Sequence, residues 1–472
     1  MLNKKDIFIN TVSQVVVRFT TLVFTLISIK LLTNYLGTTG VGEYNTITTY
    51  VNFFLVIADL GLFSVTVREI SKRPQDEKKI LSNVFVVRLI SALIVSAIAI
   101  AIVFLTHYDN RIKIGVTIAT GFLFFNLLGS IYDIVLQYRL KMQYSALAEF
   151  LSKLLSILAL YLIIRHQGDF LLVIATIALS GFLIFAFKWL FGSHFVSFGP
   201  KYNRDISRWI FNLAWPMGIV FIVSNLFFKL DTLMLFVLKG ASETGIYTVA
   251  YKVLEVTVFV GAYFASALKP TISQNIENNK PYIEKLIKKS ISIMLFVSAP
   301  IAIVSIVFSK EIIVFLSNED FVGGGRALTL LAFTLPLIYL DALLVEILIA
   351  NDERKLLVRI ATFILTFNFL LNLVLIPRYS FMGAAFVTLL SEIVLFGINL
   401  RYTRRIIPYS IDLPSIAKIA AVAILTLVAG FALKSFGTYF LILIALTFLT
   451  YALFSYLFGV VGFRSLREAI GD

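Results

Sequence analysis

The stretch Leu36-Gly37-Thr38-Thr39-Gly40-Val41-Gly42-Glu43-Tyr44 has a counterpart 203 residues later, Lys239-Gly240-Ala241-Ser242-Glu243-Thr244-Gly245-Ile246-Tyr247. The shift superposes Gly37 on Gly240, Gly42 on Gly245 and Tyr44 on Tyr247. Apolar runs flank each copy, so each reads as the outside turn joining the first and second helices of a six-helix set. A shift across an even number of helices leaves both halves in the same orientation, as in folds related by an axis along the membrane normal. The repeat therefore predicts two pseudo-symmetric six-helix lobes.

Composition agrees with a membrane setting. Of 472 residues, 59% are hydrophobic and 14% charged, and mean hydropathy is +0.93. Soluble proteins carry about 25% charged residues, and a soluble core stops growing at about 250–300 residues. The chain reads as an all-α polytopic membrane protein. Its apolar runs are continuous rather than alternating, which excludes a β-barrel. A crossing needs about 20 mostly apolar residues. Fourteen windows qualify: 10–32, 44–66, 84–105, 112–137, 146–164, 170–191, 213–237, 246–268, 290–308, 327–350, 356–376, 382–400, 414–433 and 438–460. We number them spans 1 to 14. They predict an N-terminal lobe over 1–192 and a C-terminal lobe over 193–405. Residues 406–472 hold two extra transmembrane helices and a short cytoplasmic tail.

The formal net charge is +14. In a soluble protein that excess would suggest nucleic acid as a partner. Here alternate loops separate it: one set carries 24 Lys and Arg, the opposite set 8. Cytoplasmic loops collect Lys and Arg, so both termini are placed in the cytoplasm, in a multi-pass cytoplasmic (inner) membrane protein. The excess is orientation, and nucleic acid drops out as a partner. Span 1 carries Arg18 and runs on without an A-x-A site, so it reads as a retained helix rather than a cleaved signal. Cysteine is absent and the three histidines are far apart, so no disulfide, thiolate or metal site is expected. The outside stretch 309–326, with Gly323-Gly324-Gly325, reads as a flexible connector. The basic segment IEKLIKKS, ending at Ser290, reads either as a helix along the anionic inner leaflet or as a solvated helix start.

An ionisable side chain deep in a span costs at least about 2.5–3.5 kcal/mol and is a functional candidate by default. Arg18 lies deep in span 1, with Gln14 one turn away on the same face. Lys229 and Asp231 lie deep in span 7, two residues apart and so pointing in different directions, with Asn225 one turn from Lys229. Lys252 and Glu255 in span 8 are three apart and can pair. Asp59, Asp341 and Glu392 complete the set. Candidate substrate-binding residues are thus Arg18, Lys229, Lys252, Gln14 and Asn225. Asp59, Asp231, Glu255, Asp341 and Glu392 are candidates for ion coupling or as counter-ions, Asp59 and Asp341 in particular to Arg18 and Lys229. A buried cation facing a cavity suits phosphate, and carboxylates there suit a coupling Na⁺ or H⁺. No other cofactor is expected. Lys30, Arg88, Lys153, Lys188, Arg359 and Lys418 read as snorkelling residues near span ends. Pro216, Pro300 and Pro336 can kink or hinge their helices.

Three longer stretches carry a family resemblance. LLTNYLGTTGVGEYNTITTYVNFFLVIADLGLFSVTVREIS, over 31–71, resembles the signature region of prokaryotic polysaccharide and oligosaccharide flippases, within the multidrug/oligosaccharidyl-lipid/polysaccharide exporter superfamily. KLDTLMLFVLKGASETGIYTVAYKVLE, over 229–255, resembles the matching part of the second lobe. Residues 348–392 resemble the family's carboxy-terminal region, with Asn368-x-x-x-Asn372, Ile376-Pro377 and Gly383-Ala384-Ala385. The resemblance implies flipping of an undecaprenyl-diphosphate-linked oligosaccharide from the cytoplasmic to the outer leaflet for cell-surface polysaccharide synthesis. It also implies two lobes in a V, alternating access driven by an ion gradient, and work beside polysaccharide-assembly proteins. Arg18 stands where the family has a basic residue thought to meet the diphosphate. Lys229 and Asp231 match a polar position of helix 7. The extra helices occur in only some members.

Two other readings compete. A cation-coupled multidrug exporter of the same superfamily should have an acidic, aromatic lumen. A membrane sugar polymerase or glycosyltransferase needs a sizeable outside loop with convergent catalytic groups. The outside loops here are short and their acids scattered, so no enzyme and no catalytic residue is expected.

Overall fold

The computed structural model describes residues 4–276, 279–437 and 439–460, with the side chains of 4–19, 217, 220, 224, 227 and 354 outside that description. The described residues form helices and short connections, with no strand among them. The chain divides into two compact units, Met1–Gly245 and Ile246–Asp472.

The first unit holds α1 (Lys4–Asp59), α2 (Leu62–Lys72), α3 (Glu77–Leu105), α4 (Asn110–Tyr138), α5 (Met142–Arg165), α6 (Phe170–Gly192) and α7 (Arg204–Lys239). One core joins Ile47, Val51 and Phe54 of α1 to Val116, Ala119 and Leu123 of α4 and Ile174 of α6. A second joins Leu62 and Val65 of α2 to Val84, Ile131 and Ile210. Lipid supplies no hydrophobic drive between helices, so van der Waals fit decides and small residues line the contacts. The α4–α6 seam shows this. A Cβ at Gly181 would stand 2.6 Å from Cα of Phe122, and one at Gly121 3.1 Å from Cβ of Ala178.

The second unit contains α8 (Ala241–Asn275) from Ile246 on, α9 (Lys280–Val307), α10 (Ser309–Leu316), α11 (Gly324–Ala332), α12 (Leu335–Ala350), α13 (Arg354–Ile406), α14 (Leu413–Lys434) and α15 (Phe440–Leu457). The last two helices dock on α9: Ile303 and Val307 pack with Val422, Leu443 and Tyr451. The Tyr451 hydroxyl donates to the Phe296 carbonyl at 2.9 Å, and Lys434 Nζ pairs with Glu311 at 2.8 Å.

Ten described helices are long and apolar enough to cross a membrane, eleven if α11 and α12, bent by 44°, count as one. Two of the ten, Thr20–Lys72 and Lys355–Ile406, run 53 and 52 residues. At about 1.5 Å per residue each would reach roughly 80 Å, against a hydrocarbon core of about 30 Å. Each is interrupted where a second crossing should begin: α1 is non-helical at Gly37 and α13 at Ser380. Divided at these breaks, with the bent pair counted once and α7 added, the helices return the fourteen windows.

Two sequence expectations change, and for IEKLIKKS the helix-start reading is the one the structure favours. Span 2 is broken at Leu60 and Gly61, both at positive φ, so Asp59 closes α1 rather than lying mid-helix. The 309–326 stretch is no flexible connector. It is α10, a short 3-10 turn over Glu319–Phe321 and the start of α11, with Phe321, Gly324 and Gly325 buried. A Cβ at Gly324 would stand 2.9 Å from the Ile246 carbonyl oxygen, so glycine serves close packing there rather than freedom. The IEKLIKKS segment does not leave its helix. It forms the first turns of α9, capped by the Asn279 side chain accepting from the Tyr282 amide.

The repeated turns explain their glycines. Gly37 (φ 63°, ψ −173°) and Gly240 (φ 88°, ψ −178°) adopt the same backbone, a region open essentially to glycine alone. Gly42 lies against the Ala241 carbonyl and Gly245 against the Thr38 carbonyl, each too close for a Cβ. The 203-residue shift turns Thr38 into Ala241 and Gly42 into Gly245. It therefore exchanges the two contacts, as a local twofold requires. Ser242 Oγ, donating to Thr38 Oγ1 at 2.9 Å, ties the turns together.

Candidate substrate and ion sites

Among the described residues of the first unit, the buried basic side chains Arg88 and Lys188 are ion-paired. Arg88 of α3 is wholly buried and donates from Nη2 to Asp59 Oδ1 at 2.6 Å. Its Nη1 meets Ser130 Oγ and reaches the Leu127 carbonyl at 3.4 Å. Lys188 of α6, 5% exposed, pairs with Asp133 of α4 at 2.7 Å and with Glu149 of α5 at 3.3 Å. Ser145 Oγ donates to the other Asp133 oxygen at 2.5 Å. These bonds link α1 to α3 and α4, and α4 to α5 and α6. They correct two sequence readings. Arg88 and Lys188 do not snorkel, and the partner of Asp59 is Arg88 rather than Arg18 or Lys229.

The remaining candidates of this unit are placed as follows. Gln14 and Arg18 belong to α1, and their side chains lie outside the described residues. Asn225 is exposed and donates to the carbonyl of Phe221 one turn back. Lys229 is half-buried. Asp231 is buried and accepts from the backbone amide of Thr232 at 2.7 Å. Lys153 sits eleven residues into α5 and twelve from its end, too deep for snorkelling. Arg359 and Lys418 are exposed near their helix starts, as snorkelling requires.

In the second unit, Lys252 and Glu255 pair within α8 at 2.6 Å, both about one-third exposed. Asp341 of α12 and Glu392 of α13 differ: both are buried, and among the described residues neither has a basic side chain within ion-pair distance. Asn399 Nδ2 donates to Asp341 Oδ1 at 2.6 Å, while Asn399 Oδ1 is buried with no hydrogen-bond partner. Glu392 and Asn399 are seven residues apart, two turns along one helix face. Thr388 and Thr403 extend this into a buried polar stripe.

The stripe is exposed to its neighbours by the break at Ser380, which folds α13 into an antiparallel hairpin. Asn368 Nδ2 reaches Ser391 Oγ at 3.1 Å, and Asn372 Nδ2 donates to Asn368 Oδ1 at 2.8 Å. A Cβ at Gly383 would stand 2.5 Å from the Leu375 carbonyl, so the hairpin closes only around glycine. A buried carboxyl without a basic partner is stable only with a bound proton or a small cation. An acceptor left free beside it, Asn399 Oδ1, suits either.

A family model described as polysaccharide biosynthesis protein matches residues 4–276, more than half the chain. The chain belongs to the polysaccharide biosynthesis protein family. A second model, MatE, matches residues 216–374. Among relatives, the capsular polysaccharide biosynthesis protein CapF of Staphylococcus aureus is 23% identical over 251 residues, 51% of this chain and 62% of that one. The probable low-salt glycan biosynthesis flippase Agl15 of Haloferax volcanii is 26% identical over 195 residues, 41% and 40%. The matches span less than two thirds of either relative's length. Among solved structures, the lipid II flippase MurJ in an inward closed conformation superposes with a TM-score of 0.79 over 94% of this chain and 98% of that chain, at 17% identity. An inward-facing multidrug resistance MATE family transporter gives 0.62 over 83% and 98%, at 16% identity. At these identities the likeness is one of fold.

Set within this polysaccharide biosynthesis family member, the misread residues share a cause. Asp133 and Glu149 fall inside spans 4 and 5 and carry charge, which is the signal that could have exposed Lys188 as a buried partner. Arg88 had a weaker signal, since the length of α3 below span 3 is not visible as apolar sequence.

Proposed function

We propose that this protein flips a lipid-linked oligosaccharide, carried on undecaprenyl diphosphate, from the cytoplasmic to the outer leaflet of the cytoplasmic membrane for cell-surface polysaccharide synthesis. The match of residues 4–276 to the polysaccharide biosynthesis family carries this reading, and the fold shared over the length of a lipid II flippase supports it. Arg18 and Lys229 receive the diphosphate, since an intramembrane cation suits phosphate. Lys252, Gln14 and Asn225 contribute to the polar path. Asp341 and Glu392 hold the coupling ion, H⁺ or Na⁺, with Asp231 and Glu255 as further acidic positions. Both termini lie in the cytoplasm, beside the proteins that assemble the polysaccharide.

The test is delivery of a labelled lipid-linked oligosaccharide to the outer leaflet of vesicles holding the purified protein. The native chain transports under an imposed ion gradient. Arg18→Ala, at equal protein, abolishes delivery; unchanged delivery removes Arg18 from the site. The MatE match over 216–374 favours a second reading, a cation-coupled multidrug exporter. Efflux of organic cations from the same vesicles, without oligosaccharide delivery, would establish it instead.

A further inference from the structure

The second limb of α13 ends on a cluster of arginines. Arg401, Arg404 and Arg405 stand in its last turns, just past the apolar window 382–400, and all three are exposed. With Gly397 and Leu400 they line an open recess of about 420 Å³. The hydrocarbon ends where an apolar window ends, so the three guanidiniums lie at the depth of lipid headgroups.

Their charge is not neutralised within the fold. Among the described residues none of the three reaches a carboxylate within ion-pair distance. Two acids at the adjoining segment are engaged elsewhere: Asp412 pairs with Lys288 at 3.6 Å, and Glu284 Oε1 accepts from the Ser410 amide at 3.2 Å. Aromatic rings hold two of the guanidiniums, Arg404 over Tyr409 at 5.9 Å and Arg405 over Tyr402 at 5.5 Å. Tyr409 is itself fixed, buried and hydrogen-bonded to Thr403 at 3.0 Å. A ring face orients a cation and leaves its N–H groups able to donate.

Membrane orientation does not account for this arrangement. It counts Lys and Arg alike, and the basic start of α9 uses Lys285, Lys288 and Lys289. A cluster of arginine alone suits bidentate binding of phosphate. Arg401 lies three and four residues from the other two, so the three heads can meet on one anion.

The same helix face continues as apolar surface. Phe386, Ile393, Gly397, Leu400 and Arg404 follow one another at intervals of seven, four, three and four, which keeps them in line on a helix. Phe386 and Ile393 are 47% and 48% exposed, and a Cβ at Gly397 would meet nothing within 4 Å. Glycine thus leaves a notch one turn from the arginines, with apolar surface beyond it. A soluble anion would use the arginines and leave the notch and the strip empty. A phospholipid uses all three.

We propose that this face of α13 holds one anionic phospholipid of the surrounding bilayer, its phosphate on Arg401, Arg404 and Arg405 and an acyl chain over Gly397 and Ile393. The proposal concerns the bilayer rather than the transported molecule and stands apart from the flippase reading.

The experiment adds phosphatidylglycerol and phosphatidylcholine in equal amounts to the purified full chain in detergent and counts bound lipid by native mass spectrometry. The choline group brings a cation against the arginines. Phosphatidylglycerol should therefore be retained about tenfold more, the order of one hydrogen bond to a charged group. Arg401→Lys, Arg404→Lys and Arg405→Lys together keep the net charge but lose the planar forks, and should cut the preference to about threefold or less. Lys285→Gln with Lys289→Gln removes two charges and should leave the preference unchanged. Equal retention of the two lipids by the native chain overturns the proposal. So does a preference that survives the three lysines, which would make this a general positive surface. Displacement of phosphatidylglycerol by glycerol phosphate or by a short polyglutamate peptide also overturns it, assigning the arginines to a soluble anion or a protein. The measurements on the native chain decide even if the lysine variant does not fold.

Discussion

The two units treat buried charge in opposite ways. In the first, each deeply buried cation is tied to a carboxylate on another helix: Arg88 to Asp59, Lys188 to Asp133 and Glu149. In the second, Asp341 and Glu392 are buried, and among the described residues neither has a basic partner. A closed ion pair fixes helices relative to one another and has nothing further to bind. A carboxylate without a partner gains one only by taking a proton or cation, so its occupancy can change during a transport cycle. On the proposed function, the first unit uses intramembrane charge as scaffold and the second as a loadable site.

The largest effect should come from opening the scaffold at Arg88. Arg88→Met leaves Asp59 without its partner, and breaking a buried pair from one side costs about 3–5 kcal/mol. Thermal unfolding in detergent should show that loss, and adding Asp59→Asn should return most of it. A single variant as stable as the native chain would erase the contrast between the units. Lys188→Met should cost less, roughly 2–3 kcal/mol, because Glu149 is half exposed and water screens it.

The repeated turns provide a comparison inside the first unit. Gly37 and Gly240 share a backbone region closed to other residues, and a Cβ at either has open space around it. Alanine at either position should therefore cost a similar amount, about 1–3 kcal/mol, from backbone strain alone. Chemical denaturation of the two variants measures this. A large inequality would mean that the turns are equivalent in sequence but not in role.

These contrasts were partly legible in the sequence. Residue spacing alone announced the turns, since Gly37, Gly42 and Tyr44 recur at a fixed shift, and the swapped contacts give that recurrence a physical cause. The Lys252–Glu255 pair followed from its spacing of three. Pairing across helices did not follow, because it depends on which faces meet. Arg88 and Lys188 therefore looked like snorkelling residues, although their partners Asp59, Asp133 and Glu149 were all visible as charges in spans. Gly323-Gly324-Gly325 misled for a related reason. Glycine permits both a loose loop and a close contact, and only the packing against Ile246 and Lys310 distinguishes them. The polar stripe of α13 was half visible: Asp341 and Glu392 stood out, whereas Asn399 gained meaning only through its bond to Asp341.

The smallest expected change in stability is the sharpest test of the contrast. Glu392→Gln keeps the shape of the side chain and removes its capacity to ionise. If Glu392 were a counter-ion like Asp59, the substitution would strand a buried cation and cost several kcal/mol. As a loadable carboxyl it leaves no cation behind. Unfolding should then shift by less than about 1 kcal/mol, and upward if at all, since a neutral amide is easier to bury than a carboxylate. On the proposed function, transport should fail in the same variant, because one of the two carboxyls that hold the coupling ion can no longer ionise. Asp341→Asn should behave alike, with Asn399 turning its amide to suit the new partner. Loss of stability together with retained transport would reverse the assignment and make the second unit a scaffold too.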